Sequence, residues 1–168
     1  GRVEHDARRC TPPAFEYPAF ADFRLPNSLH HEIVEPLQRY RMSYSELGLQ
    51  LDLGWSALMP PHELRYGNQP AVTASRRHFD QPGRMTGSIV LHGEQIDVEC
   101  WSMRDRTWGA HAPGAARSGD YLWAIASPNT HWHARTMESG EPGIDAIVNG
   151  YLVRDGVMGE LVRGKRRV

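Results

Sequence analysis

The chain has 168 residues, of which 40% are hydrophobic and 23% charged, and its formal net charge is −1. This composition is typical of a soluble globular domain with enough material for a core. A net charge near zero excludes a general attraction to nucleic acid or to anionic membranes. No apolar run approaches the roughly 18 residues that a membrane-spanning helix requires. The two cysteines, Cys10 and Cys100, indicate no disulfide framework, so we expect a reducing, cytoplasmic location.

The chain divides into an amino-terminal arm and a domain. Residues 1–32 hold several prolines, namely Pro12, Pro13, Pro18 and Pro26. Proline fixes φ and removes a hydrogen-bond donor, so we predict an extended arm rich in proline and aromatic residues. Residues 33–168 are predicted to form one antiparallel β domain. Because the chain begins with glycine and ends directly after a strand-like run, we expect a fragment, a processed chain or one part of a larger protein.

Strand patterns follow one another through this domain. Residues 33–40 are predicted to be strand or irregular, since Pro36 fits poorly in a helix. Residues 47–57 alternate between apolar and polar side chains, as a half-buried strand does. Residues 76–83 look like a polar loop. The later strands are predicted in pairs, over residues 85–91 with 95–103, 121–126 with 131–137, and 144–154 with 157–162.

Turn residues connect two of these pairs. His92-Gly93 and Asp155-Gly156 are each expected to form a tight turn between antiparallel strands. Short strands with regular turns and no helical period predict an all-β antiparallel fold. Its sheet must close into a barrel or pack as a sandwich to hide its edges.

Asp105 is the first candidate for chemistry. It lies between Arg104 and Arg106 and is followed by Thr107, Trp108 and Gly109, where we expect a strand to end or bend. Two guanidinium groups stabilise the anion of a carboxylate between them. A carboxylate in this position could transfer a proton or, with its arginines, bind and orient a ligand. The alternative is an Asp–Arg ion pair that only fixes a sheet corner.

His78 is the second candidate. Its segment leads into the strand that pairs with the one carrying Asp105. An Asp–His pair would supply a general acid and base that titrates near neutral pH. Alternatively, His78 only caps a turn.

Two further groups could line a site. His131 and His133 are two residues apart, so on a strand they share a face, and His111 could join them as a third metal ligand. The more ordinary interpretation is that the two histidines line a cavity or face solvent without a metal. Trp101, Trp108 and Trp123 are expected to be core residues or walls of a ligand pocket. The basic segment 163–167 is interpreted as a solvated tail rather than a nucleic-acid site.

Three segments of the chain resemble the carotenoid 1,2-hydratase (hydroxyneurosporene synthase) and AttH-like superfamily, in particular its bacterial members of unassigned function. The resemblance extends over residues 33–168, and the aspartate three residues before Trp-Gly is its most specific element. The segments are His78-Phe79-Asp80-Gln81-Pro82-Gly83-Arg84-x-x-Gly87, Met103-Arg104-Asp105-Arg106-Thr107-Trp108-Gly109 and Gly119-Asp120-Tyr121-Leu122-Trp123-Ala124.

The resemblance implies a lipocalin-like β-barrel, or a strongly curved antiparallel sheet, forming one part of a two-barrel protein. It also implies hydration or cyclisation of apolar alkenes without an organic cofactor. Asp105 would then act as the proton donor, supported by His78, Trp101 and Trp108. This chain has Met103 and Arg104 before the aspartate, where the hydratases carry aromatics. Its length suits a single barrel, which a second copy or a second barrel domain would complete.

Three functional hypotheses follow. The first is a cofactor-independent lyase, hydratase or isomerase acting on a small apolar or aromatic molecule, with Asp105 and His78 as its acid–base pair. The second is a non-catalytic lipocalin-like protein that binds a small molecule. The third is a metal-dependent enzyme that uses His111, His131 and His133.

Overall fold

The computed structural model describes residues 21–63, 77–108, 119–161 and 163–168, and these form antiparallel β-strands with no helix among them. The described chain therefore contains no helix that could cross a membrane. The predicted all-β antiparallel fold is confirmed. In chain order the strands are β1 (Asp22–Arg24), β2 (His30–Glu35), β3 (Arg39–Glu46), β4 (Leu49–Ala57), β5 (His62–Glu63), β6 (Arg77–Leu91), β7 (Glu94–Trp108), β8 (Tyr121–Ser127), β9 (Thr130–Glu138), β10 (Ile144–Arg154), β11 (Val157–Glu160) and β12 (Gly164–Arg167).

The strands fall into two compact units. The first contains Gly1–Pro60 and Gly83–Ser102, and the second contains Pro61–Pro82 and Met103–Val168. Strands β6 and β7 each contribute residues to both units. In the first unit the strand order is β1-β2-β3-β4-β6, with β7 also paired to β6. In the second unit β5 pairs with β6, and a separate sheet has the order β11-β10-β9-β8 with β12 on β10.

The alternating segment at residues 47–57 supplies part of the core of the first unit. It forms β4 from Leu49 onwards, because Leu47 and Gly48 have positive φ and make the turn from β3. Leu53 and Trp55 are buried on one face of β4. The Trp55 indole packs 5.6 Å from the Tyr40 ring, and its Nε1 donates a hydrogen bond to Ser102 Oγ at 2.8 Å.

Both predicted tight turns are confirmed. His92 and Gly93 have φ values of 50° and 88° between β6 and β7, and Asp155 and Gly156 have 54° and 79° between β10 and β11. Positive φ at both central residues matches the right-handed twist of a hairpin, which is why this turn suits two-residue connections.

The extent of β6 and β7 differs from the prediction. β6 begins at Arg77, so residues 77–83 of the polar segment are strand and not loop, and β7 continues to Trp108, so Asp105 lies within a strand. The polar residues from His78 to Gln81 hid this strand in the sequence. They are buried and interact with one another or with neighbouring strands. Strand prediction from the spacing of apolar residues overlooks a segment whose buried residues are polar.

Part of the predicted arm belongs to the first sheet. Residues 1–20 lie outside the described residues, whereas β1 pairs antiparallel with β2 through Asp22–Glu32, Phe23–His31 and Arg24–His30. The boundary predicted between residues 32 and 33 therefore falls inside β2.

The second sheet is an open sheet among the described strands rather than a closed barrel. β8 lies at one end of its strand order, while β11 and β12 both pair with β10 at the other end. β9 and β10 form its centre, with His133 opposite Tyr151 and His131 opposite Val153. The predicted pairs β8–β9 and β10–β11 are both present.

Gly150 allows β9 and β10 to approach at the centre of this sheet. Its φ is +147°, and a Cβ there would lie 2.2 Å from the carbonyl oxygen of His133. We therefore expect Gly150→Ala to lower the free energy of unfolding by about 2 kcal/mol or more in urea titrations.

Gly159→Ala is the matched control, because a Cβ at Gly159 meets no described atom within 4 Å. Its unfolding free energy should stay within about 0.5 kcal/mol of the wild type. Equal effects of the two substitutions would contradict this account of β10.

Candidate active site

His78 is the centre of a hydrogen-bonded cluster in the second unit. Its side chain is 7% exposed, and both ring nitrogens have close neighbours. Nε2 lies 3.2 Å from Asp80 Oδ2, and Nδ1 lies 2.5 Å from Thr107 Oγ1. His78 and Asp80 are two residues apart on β6, which places them on one face of the strand. The imidazole therefore joins a buried carboxylate to a hydroxyl.

Asp80 fixes the orientation of this imidazole. The residue is fully buried, and its Oδ1 accepts a hydrogen bond from the Tyr121 hydroxyl. A buried carboxylate accepts hydrogen bonds and offers none, so the proton between the two side chains belongs to His78 Nε2. We assign this tautomer from the hydrogen-bond network. It leaves the lone pair of Nδ1 directed at Thr107, so Nδ1 is the basic atom of the ring.

Asp105 lies on the side of His78 opposite Asp80. Its Oδ1 is 3.4 Å from His78 Nδ1, and its side chain is 50% exposed. Asp105 and Thr107 are two residues apart on β7 and share a strand face, so both reach the same nitrogen. His78 therefore stands between one buried and one solvent-facing carboxylate. This arrangement stabilises an imidazolium after proton uptake.

A second group of polar residues lies in the centre of the sheet. His131 is 2% exposed, and His133 and Tyr151 are fully buried. Nδ1 of His131, both ring nitrogens of His133 and the hydroxyl of Tyr151 make no hydrogen bond to the described residues. The carboxylate of Asp80 lies close to one of them, with its Oδ2 3.5 Å from His133 Nδ1. Buried polar atoms without partners are costly, so this cluster contrasts with the satisfied one around His78.

Burial also sets the protonation of this second group. It lowers the pKa of both His131 and His133. At His133 the nearby charge of Asp80 acts in the opposite direction and raises the pKa, but burial is the larger effect. Burial and the charge of Asp80 raise the pKa of Tyr151 well above its usual value. The two imidazoles and the phenol are therefore neutral near neutral pH.

His78, Asp80 and Asp105 could also contact one cation. They each offer a ligand atom, and these atoms lie within 4.8 Å of one another. Within the described residues this group does not include His131 or His133, and His111 lies outside the described residues. One imidazole nitrogen and two carboxylates suit a divalent ion of intermediate hardness.

Comparison with known proteins places the chain in a family. A family model, described as a domain of unknown function (DUF7064), matches residues 1–167. The chain belongs to this DUF7064 family. No curated protein sequence matches the chain significantly.

The fold is similar to that of one solved structure. It is a crystal structure of a Nitrosomonas europaea protein provisionally named AttH, with a TM-score of 0.58 and 18% sequence identity. The match covers 84% of this chain and 46% of that chain, so this DUF7064 chain spans less than half the length of that protein. At this identity the likeness shows the fold alone, and it confirms the predicted lipocalin-like all-β class. It does not show that this chain is a carotenoid hydratase.

The structure brings some of the predicted residues together. Asp105 and His78 are neighbours, and His131 and His133 are buried two residues apart on β9. The Arg104 guanidinium lies 4.9 Å from the centre of the Phe79 ring, and Nη1 donates to Gln81 Oε1 at 3.4 Å.

The remaining predicted residues are more dispersed. Arg106 is exposed on β7, and Trp101 is half-buried in the first unit. Trp123 is 41% exposed and pairs across the sheet with His133. The side chain of Trp108 lies outside the described residues.

Sequence reasoning missed Asp80, Thr107, Tyr121 and Tyr151. The spacing of His78 and Asp80 was a usable indication, since an i, i+2 pair on a strand shares a face. This indication applies only on a strand, and the polar composition of residues 76–83 predicts a loop. Tyr121 reaches Asp80 through tertiary packing, and Tyr151 lies opposite His133 through strand pairing; local sequence patterns reveal neither contact.

Tyr121 and Tyr151 provide a matched pair of hydroxyl deletions. Tyr121→Phe removes a donor to the buried Asp80, so the unfolding free energy should fall by about 1–3 kcal/mol. Tyr151→Phe removes a hydroxyl that makes no hydrogen bond to the described residues, so stability should stay within about 0.5 kcal/mol or rise. Urea titrations measure both, and a larger loss for Tyr151→Phe would refute the assignment.

Stability should also depend on pH through the buried histidines. Their folded-state pKa values lie below the ordinary 6.5, so below that pH the unfolded state binds more protons. Their contribution is complete above about pH 6.5 and is lost as the pH falls. We expect His131→Gln to reduce the slope of unfolding free energy between pH 7 and pH 5 by as much as about 1.4 kcal/mol per pH unit.

The control for this pH series is His92→Asn, which changes an exposed turn residue with positive φ. It should keep the wild-type slope. An unchanged slope for His131→Gln would show that His131 is protonated equally in the folded and unfolded states.

Proposed function

We propose that the second unit is a cofactor-independent acid–base enzyme of the lyase, hydratase or isomerase type, acting on a small apolar or aromatic molecule. The observation that carries the proposal is the position of His78 between Asp80 and Asp105, with distances of 3.2 Å and 3.4 Å to its two ring nitrogens. An imidazole nitrogen oriented by a buried carboxylate is well suited to general acid–base catalysis.

The proton transfer uses the outer side of the imidazole. Nδ1 takes a proton from the substrate or from a water molecule, and the ring becomes an imidazolium. Asp80 on one side and Asp105 on the other stabilise this positive charge. The imidazolium then returns the proton to a different atom of the substrate, which completes an isomerisation, an addition or an elimination.

Asp105 acts in this scheme as the anionic partner of His78. The resemblance to the hydratases assigns it the role of a carboxylic acid that protonates an alkene directly. In this proposal the proton donor is instead the imidazolium of His78, whose two ring nitrogens face Asp80 and Asp105.

Aromatic side chains support an aromatic or apolar substrate. Tyr121 and Trp123 are 38% and 41% exposed on β8. They are two residues apart, so they share a strand face, and Trp123 is opposite His133 in the strand register. Exposed rings on the face that carries the buried polar cluster could form the wall of a ligand site.

The same rings favour the second hypothesis, a non-catalytic lipocalin-like binding protein. In that case the exposed aromatics would hold a ligand, and the His78 cluster would serve only to stabilise the sheet. The two functions differ in what happens when Asp105 loses its charge.

Asp105→Asn tests the proposal with 2-tetralone, an aromatic carbon acid, as the probe. Hydrogen–deuterium exchange at its α-carbon in D₂O reports proton transfer by NMR. We expect the wild type to accelerate the exchange and Asp105→Asn to slow it by about 100-fold. The unfolding free energy should change by no more than about 0.5 kcal/mol, because the side chain is half exposed.

Asp97→Asn is the matched control, an exposed carboxylate on the part of β7 that belongs to the first unit. It should keep the wild-type exchange rate. If wild type and both variants exchange 2-tetralone equally while still binding it, the protein is a binder and the acid–base proposal fails.

A further inference from the structure

Thr107 is the outermost of three hydrogen-bonded side chains in the second unit. Its hydroxyl is 2.5 Å from His78 Nδ1, and His78 Nε2 is 3.2 Å from Asp80 Oδ2. Thr107 is exposed, whereas Asp80 is fully buried. The three side chains therefore lead from the hydroxyl of an exposed threonine, through an imidazole, to an interior carboxylate.

We propose that Thr107, His78 and Asp80 form a hydroxyl–imidazole–carboxylate triad that makes Thr107 a nucleophile toward activated carboxylic esters. This activity goes beyond the proton transfer proposed above, because it forms a covalent bond to the protein. Triads of this type are recognised by the geometry and roles of their members rather than by their sequence positions.

The direction of each hydrogen bond follows from Asp80. Its two oxygens accept from Tyr121 and from His78 Nε2, so in the tautomer assigned above Nδ1 is the unprotonated nitrogen and accepts from the Thr107 hydroxyl. The hydroxyl proton of Thr107 therefore points at a base. A neutral hydroxyl is a weak nucleophile until such a base removes its proton, and here the base is already in contact.

The reaction balances with these groups and water. Thr107 Oγ1 attacks the ester carbonyl carbon as its proton passes to His78 Nδ1. The carbon–oxygen bond to the alcohol then breaks, and the imidazolium protonates the departing oxygen, which leaves an acyl-threonine. Water attacks this ester while His78 takes its proton, and the proton returns to Thr107 Oγ1 as the acid is released.

Asp105 has a separate place in this chemistry. Its Oδ1 lies 3.4 Å from His78 Nδ1, close enough to stabilise the imidazolium but not part of the path from Thr107 to Asp80. Removing its charge should therefore leave the acyl-threonine detectable. This separates the triad from the acid–base proposal, in which Asp105 is required.

The test uses p-nitrophenyl acetate as the ester and peptide mass spectrometry of the full chain. We expect an early burst of p-nitrophenolate and one acetyl group on the peptide that contains Thr107. Thr107→Ala should abolish acetylation of that peptide, and Thr107→Ser should retain it. His78→Ala should slow the burst by about 100-fold.

Thr86→Ala, an exposed threonine on the part of β6 in the first unit, is the matched control and should acetylate as the wild type does. Acetyl groups found only on other residues, or no acetylation at Thr107, would overturn the triad whatever the 2-tetralone result. Acetyl-Thr107 in an Asp105→Asn protein that no longer exchanges 2-tetralone would support the triad independently.

Discussion

The site depends on one constraint, the complete burial of the Asp80 carboxylate. A buried anion is stable only when charged or polar groups donate hydrogen bonds to it. His78 and Tyr121 supply those donors from β6 and β8, and the bond to His78 fixes the tautomer of the ring. The basic nitrogen of His78 then faces Thr107 and Asp105 on β7. The hydrogen bonds that stabilise the buried Asp80 carboxylate thus determine which nitrogen of His78 is available to react.

The neighbouring cluster, by contrast, contains buried polar atoms that make no hydrogen bond to the described residues. His131, His133 and Tyr151 are buried in the centre of the second sheet, and burial keeps them neutral. Gly150 permits the close strand approach that sets Tyr151 opposite His133. Natural structures retain few unsatisfied buried polar atoms, and those that remain are often associated with function. Here one of them, His133 Nδ1, lies 3.5 Å from Asp80, which also contacts His78.

Local patterns in the sequence predicted much of the fold. Alternating residues identified β4, and Asp155-Gly156 identified a hairpin, because both features act over a few residues. The first part of β6 was missed because three of its buried residues, His78, Asp80 and Gln81, are polar. Asp105 and His78 could be paired from the hairpin between their strands. Asp80 and Tyr121 could not, because their contact spans 41 residues and depends on tertiary packing.

The most direct test of this account is the tautomer of His78 in the folded protein, read from the ¹⁵N chemical shifts of its imidazole near neutral pH. The account predicts a protonated Nε2 bonded to Asp80 and an unprotonated Nδ1 facing Thr107. A proton on Nδ1 with Nε2 bare would mean that Asp80 does not orient the ring. The outer nitrogen would then be no base, which would contradict both the acid–base site and the triad.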